Sequence, residues 1–207
     1  MSTGIEDLLA APLGLRERKK LKTRRAIRAA AFRLFSQQGF EATTVDQIAA
    51  AADVSPSTFF RYFPVKEDLV VTDDYDPVME AALRSRPLDE SLMESVRQTV
   101  LPALRQIVGL ERDDMLLRMR LLRGNPVLRA RGVAEMQRTR DLILTAFRDR
   151  DVRPSGELER RALVAAFLAA AGEAVEYWAE RDGRDDLVEL VERALDTIAA
   201  GAAGVAG

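Results

Sequence analysis

Residues 44–66 read TVDQIAAAADVSPSTFFRYFPVK, and this stretch decides the fold. Val45, Ile48, Ala49 and Ala52 fall at i, i+3, i+4 and i+7, one face of a helix. Thr44 precedes them and Gln47 follows three residues later, the spacing of a capping box. Past Asp53 and Val54, Ser55 is a good N-cap, and Pro56 stands where a missing N–H costs nothing. The second helix then runs through Ser57, Thr58, Phe59, Phe60, Arg61, Tyr62 and Phe63. Phe59 and Phe63 share a face and can anchor it. Ser57, Thr58, Arg61 and Tyr62 are expected to point away, and they are side chains of the kind that bond phosphates and base edges.

The chain around this motif is 207 residues long, enough for one large domain or two small ones. It is 47% hydrophobic and 31% charged, ordinary values for a globular protein, and rich in helix formers. Without cysteine there is no disulfide framework or thiolate chemistry; without histidine, no histidine base or zinc site of the usual kind. Glu6 and Asp7 stand where a signal peptide carries positive charge, and no uninterrupted apolar run reaches the roughly 18 residues of a membrane span. A cytoplasmic protein is expected, with no membrane partner.

The net charge of −2 hides an asymmetry. Residues 16–33 hold nine Lys or Arg against the single acid Glu17. Residues 1–70 carry 11 basic and 8 acidic side chains, a net +3; residues 71–207 carry 20 and 25, a net −5. A solvated basic helix face is the plain reading of such a run. A phosphate-binding head on an acidic body is the other.

The pattern elsewhere is helical throughout. Residues 1–14 read as a flexible N-terminus, and a helix should run from about Leu15 to Gln38, burying Ile27, Ala30, Ala31, Leu34 and Phe35 and stopping at Gly39. After the motif a helix is expected from near Lys66, then 76–84, then 88–108 bent at Pro102. Helices over 111–123 and 127–149 should be separated by Gly124-Asn125-Pro126, with a loop at 153–156 closing the second. Two long helices, 157–181 and 184–200, precede a flexible GAAGVAG tail. The fold class is all-α, about nine helices. Residues 162–171, ALVAAFLAAA, are apolar on every side and should be buried all round. Leu187, Val191, Ala194, Leu195 and Ile198 make an apolar stripe on the last helix, which packs against its own domain or a second copy.

Over residues 21–69 the pattern resembles the tetracycline-repressor (TetR) family of bacterial transcriptional regulators, and the arginine-rich segment at 118–141 resembles its actinobacterial members. The shared features are the apolar positions of the first helix, Gly39, Thr44, Ile48-Ala49, Ala52, Val54-Ser55, Thr58, Tyr62-Phe63, Lys66 and Leu69. The resemblance implies a three-helix DNA-binding domain at 15–70 with its helix-turn-helix at 44–63. It implies a helical domain at 71–207 that binds a small effector and dimerises through its last two helices, with Phe167, Val175, Leu187, Val191, Ala194, Leu195 and Ile198 at the interface. In a symmetric dimer two such helices enter major grooves about 34–36 Å apart, so the operator should be palindromic. Repression relieved by ligand is the implied outcome.

Carried onto this chain, the resemblance makes Thr44 a cap and phosphate contact. Ser57, Thr58 and Arg61 face the groove, with Arg61 the base reader, since guanidinium pairs well with guanine, and the cap Ser55 is a further DNA-binding residue. Tyr62 and Lys66 grip the backbone, and Lys22 and Arg25 add phosphate contacts from the first helix. Phe60 stands where the family commonly has tyrosine, so it has only a ring to offer a thymine methyl or a sugar. For the effector, apolar or amphipathic, the expected lining is Met115, Leu116, Met119, Leu122, Met136, Phe147, Phe167, Tyr177 and Trp178. If Arg118, Arg120 or Arg123 turned inward, an anionic ligand such as a fatty acyl thioester would suit. No cofactor or metal is implied. An enzyme would need paired carboxylates or a lysine, and no such constellation stands out. The alternative is a helical interaction protein whose basic arm binds a partner other than DNA.

Overall fold

The computed structural model describes residues 15–72, 74–148 and 156–204. Among them are nine helices and no strand: α1 (Leu15–Gln38), α2 (Val45–Ala51), α3 (Pro56–Tyr62), α4 (Asp68–Val71), α5 (Asp76–Ser85), α6 (Leu92–Gly124), α7 (Pro126–Arg148), α8 (Glu157–Glu180) and α9 (Leu187–Gly204). The expected N-terminal flexibility falls on residues 1–14, outside the described residues, as does all of the 153–156 loop but Gly156.

The described residues gather into two compact units. The first runs up to Tyr75 and takes in Asp113–Glu135; the second comprises Asp76–Arg112 and the chain from Met136 on. Thus α6 and α7 each contribute to both. The first unit has a core of Ile27, Ala31, Phe32, Phe35, Phe40, Ile48, Ala49, Phe59, Phe63, Leu69, Val70 and Leu128, with Leu117, Leu121 and Leu122 packed on it. Phe32, absent from the expected stripe, adds a ring 5.8 Å from Phe35, which in turn lies 5.0 Å from Phe40.

Local chemistry sets the boundaries. Gly39, at φ 86°, takes the left-handed conformation that ends α1, its N–H donating to the Phe35 carbonyl at 3.0 Å. Asn125 opens α7 by accepting from the N–H groups of Val127 (2.9 Å) and Leu128 (3.2 Å), with Pro126 at the first helical position. The helix expected from residue 88 begins at Leu92, because Ser91 rather than Leu88 supplies the cap, to the Glu94 N–H at 3.2 Å. The bend expected at Pro102 lies elsewhere. Pro102 is an exposed residue inside α6, and the departure from helical dihedrals comes at Glu111 (φ −125°, ψ 22°), just after Gly109. Proline's missing donor is tolerated on a wet face, whereas glycine weakens the helix around it. The helix expected near Lys66 shrinks to the single turn α4, and α9 continues past Ala200 to Gly204.

In the second unit α8 and α9 form an antiparallel pair. Val164, Phe167, Ala170, Ala174, Trp178 and Ala179 of α8 are buried, as are Leu187, Val188, Val191 and Leu195 of α9. Trp178 is fully buried and its indole N–H donates to the Asp185 carbonyl at 3.1 Å, which ties it to the α8–α9 turn. That turn runs through Asp182 and Gly183, both with positive φ (53° and 66°). Arg112 clamps it from α6, its guanidinium donating to the carbonyls of Asp182 (3.1 Å) and Gly183 (3.0 Å).

One expectation gives way here. The 162–171 stretch is buried on one face only: Ala162, Leu163, Ala165 and Ala169 are exposed. Length and composition would also let α8 cross a membrane. Its buried side chains instead pack within the second unit, and Glu173 and Glu176 interrupt its other face.

Candidate nucleic-acid interface

The seven residues of α3 are too few to hold a helix by themselves, so its ends and one face must be fixed by neighbours. The Ser55 hydroxyl accepts from the Thr58 N–H at 3.1 Å, capping the N-terminus, with Pro56 next in line. Phe59 and Phe63 are fully buried, 5.9 Å apart between ring centroids. Anchored through these, α3 presents the opposite face. Pro56, Ser57, Phe60 and Arg61 are exposed there, at the i, i+1, i+4, i+5 spacing of one helix side. Phe60 is 51% exposed and stands edge-on to Phe59, so the absence of a tyrosine hydroxyl leaves an apolar ring on the surface.

The turn entering α3 is a Schellman motif. Val54 N–H donates to the Ala49 carbonyl at 3.0 Å and Asp53 N–H to that of Ala50 at 3.2 Å, with Asp53 in the left-handed region at φ 54°. Ahead of α2 the expected capping box is present: Thr44 Oγ1 accepts from the Gln47 N–H (3.2 Å) and Gln47 Oε1 from the Thr44 N–H (2.9 Å). The Gln38 amide, which no spacing argument singles out, donates to Gln47 Oε1 at 2.9 Å and Thr43 Oγ1 at 3.2 Å, joining the end of α1 to the box.

Not every expected contact residue faces outward. Thr58 is half-buried and its hydroxyl accepts from Ser55 at 3.0 Å, so it closes the N-terminal turn of α3 rather than standing free for a groove. Tyr62 is half-buried, with the Arg61 guanidinium 5.4 Å from its ring centroid. Lys66 is half-buried. Its ammonium donates to the carbonyls of Phe40 (2.8 Å) and Thr43 (3.0 Å) and lies 4.2 Å from the Phe40 ring centroid. The Phe40 carbonyl also accepts from the Thr43 N–H at 3.3 Å, and meeting these carbonyls draws the ammonium inward. On α1, Lys22 is exposed and Arg25 half-exposed.

The basic helix also divides its charges in a way the count alone conceals. Arg24 and Arg28 turn inward onto Asp74, a buried carboxylate 6% exposed, and onto Thr72. The signal was available: Arg24, Arg28, Ala31 and Phe35 share the buried stripe, whereas Lys22 lies opposite.

The expected effector residues divide between the two units. Met115, Leu116, Met119 and Leu122 belong to the first unit, where Leu122 packs on its core; Met136, Phe147, Phe167, Tyr177 and Trp178 belong to the second. Trp178 is committed to the α8–α9 turn, and Tyr177 is 46% exposed beneath the Arg181 guanidinium. Phe147 and Phe167 are buried core, and Met136 is exposed. Arg118 leans over the Phe32 ring, 6.0 Å from its centroid, and Arg120 is exposed. A cleft of about 140 Å³ in the second unit, lined by Arg140, Asp141, Leu144, Thr145, Arg148, Glu157, Arg160 and Arg161, shares no residue with the expected lining. The expected dimer stripe is placed unevenly. Phe167, Leu187, Val191 and Leu195 are buried within a single chain, whereas Val175, Ala194 and Ile198 are half-buried.

Known proteins share this helical fold and its helix-turn-helix. Residues 27–71 match the model of bacterial regulatory proteins of the tetR family, and residues 90–203 match that of the MftR C-terminal domain. The chain is 35% identical over 201 residues to the HTH-type transcriptional regulator TcmR of Streptomyces glaucescens, covering 89% of this chain and 86% of that protein. It is 31% identical over 117 residues to the HTH-type transcriptional regulator RutR of Escherichia coli K12, covering 56% of this chain and 55% of that one. The fold is similar to that of the fatty acid degradation regulator FadR of Bacillus halodurans (TM-score 0.58, 21% identity, 84% and 93% coverage). It is also similar to that of FadR from Bacillus subtilis, solved with stearoyl-CoA (TM-score 0.55, 20% identity, 83% and 95% coverage). The chain therefore belongs to the TetR family, and is a DNA-binding transcriptional regulator.

Proposed function

We propose that this regulator is a homodimeric repressor that reads a palindromic operator through α3 and leaves it when a small apolar or amphipathic effector binds. Residues 15–70 form the DNA-binding domain and residues 71–207 the effector and dimerisation domain. The observation that carries the reading is the exposed Ser57–Phe60–Arg61 face, backed by fully buried Phe59 and Phe63. Arg61 reads a base, Ser57 and Phe60 touch the groove, and the first turns of α2 and α3 offer N–H groups to phosphates beside Thr44 and Ser55. Lys22 and Arg25 add charge from α1. The dimer forms through the exposed side of α8, where Leu158, Ala162, Ala165 and Ala169 follow helical spacing, with Val175 and the half-buried Ala194 and Ile198 at its margins. No catalytic role is assigned, and the protein acts where its operator lies, in the cytoplasm.

The effector shifts binding only by its differential affinity for the DNA-bound and free states. The test is selection of a duplex from a random library by the wild-type protein, followed by a salt titration. A palindromic consensus with affinity falling steeply in salt supports the reading; failure to enrich any sequence overturns it.

A further inference from the structure

We infer that Arg24, Arg28 and Asp74 are positioning residues that set the sequence specificity of α3 without touching DNA; this rests on the operator-binding reading above. The Arg24 guanidinium spans three acceptors. Its Nη1 donates to the Tyr62 carbonyl at 2.9 Å, its Nη2 to Thr72 Oγ1 at 2.6 Å, and its Nε to Asp74 Oδ1. The same group lies 4.4 Å from the Phe63 ring centroid. Tyr62 is the last residue of α3, so its carbonyl is one of those a helix C-terminus leaves without a partner. A cation there satisfies the oxygen and meets the negative end of the helix dipole. Arg24 is thus the C-terminal cap of the recognition helix, delivered from α1.

Arg28 repeats the construction one turn on. Its Nε donates to the Leu69 carbonyl at 3.1 Å, its Nη2 to the Thr72 carbonyl at 3.0 Å, and its Nη1 pairs with Asp74 Oδ2. One carboxylate, with 4% of its side chain exposed, therefore neutralises and aims two guanidinium groups. Removing it would leave two part-buried cations facing each other. The consequence concerns specificity. Base-edge hydrogen bonds tolerate displacements of only about 0.5 Å, whereas phosphate attraction tolerates much more. A loosened α3 should lose the operator and keep general affinity for DNA.

The experiment compares wild type, Asp74→Asn, Arg24→Lys and Arg24→Met on the selected duplex and on an unrelated duplex, each across a salt series. Arg24→Lys keeps the charge but cannot span the three acceptors. Asp74→Asn and Arg24→Lys should each bind the selected duplex about tenfold or more weaker, the scale of a lost charged hydrogen bond, with unrelated duplex and salt slope unchanged. Amide exchange over residues 56–63 should quicken in both. If Asp74→Asn does not fold, Arg24→Lys, at a part-exposed position, carries the comparison alone. Wild-type binding by Arg24→Lys, with Arg24→Met lowering the salt slope by about one, would make Arg24 a phosphate contact and overturn the inference. Unchanged operator affinity in every variant overturns it too. If the wild type itself prefers no sequence, the operator reading fails and this inference falls with it.

Discussion

Lys66 holds the turn between α1 and α2 by its end: its Nζ sits 4.2 Å from the Phe40 ring centroid and 2.8 Å from that residue's carbonyl oxygen. A lysine that sequence reading assigns to phosphate thus belongs to the internal frame. Lys66→Met removes the donor from two backbone carbonyls and the cation from a ring. It should cost about 1–3 kcal/mol of stability, read by urea unfolding. In the same protein the salt slope of DNA binding should stay put, whereas Lys22→Ala should lower it by about one. A Lys66→Met protein of wild-type stability and reduced slope would restore the phosphate assignment.

Asp53 makes the sharp turn between α2 and α3 in a conformation that suits glycine better. A left-handed residue with a Cβ costs roughly 1–2 kcal/mol, less for Asp than for a branched side chain. Asp53→Gly should therefore keep or raise the melting temperature, and Asp53→Val should lower it. Thermal unfolding of the two proteins side by side measures the strain, and the opposite ordering would remove it from the account.

Gly183 has no room for a methyl group. A Cβ there would lie 2.9 Å from Trp178 Cζ2 and 3.1 Å from Arg112 Nη2, and φ is already positive at 66°. Gly183→Ala should destabilise the second unit by on the order of 1–3 kcal/mol through overpacking and backbone strain. Trp178 is the single tryptophan of the chain, so its fluorescence reports the damage directly. A red-shifted emission in the folded variant is expected; an unchanged spectrum and melting temperature would contradict the tight fit.

What the sequence disclosed depended on how local the physics was. The capping box at Thr44 and Gln47, the cap at Ser55, the stop at Gly39 and the anchors Phe59 and Phe63 are all set within four residues, and each lies where spacing placed it. Charge was harder. Nine basic residues in 16–33 look alike in a count, yet Arg24 and Arg28 find Asp74, 50 and 46 positions away, while Lys22 meets solvent. Lys66 is taken by carbonyls 23 and 26 residues earlier. The apolar residues of α8 and α9 mark a buried stripe without saying whether one chain or two bury it. Leu187, Val191 and Leu195 turned out to be satisfied within one. The effector lining was least legible, since Trp178, Phe147 and Leu122 look alike as apolar letters and differ only in their neighbours.

That difference makes the dimer face a sharp test. Ala165 and Ala169 of α8 are exposed, and Leu158 is 76% exposed on the same helix, although the opposite face is buried against α9. Small side chains on an open helix face allow close approach of a partner helix, and an arginine at Ala165 leaves the monomer's own core untouched. Ala165→Arg should therefore retain the wild-type far-ultraviolet spectrum and sediment as a monomer at micromolar concentration. Because each half-site would then bind alone, affinity for the selected palindrome should fall by about 10²-fold or more, with affinity for a single half-site nearly unchanged. Val191 on α9 offers no such separation, since it is 1% exposed and its replacement by arginine should unfold the second unit outright. A dimeric Ala165→Arg protein would place the interface on another surface.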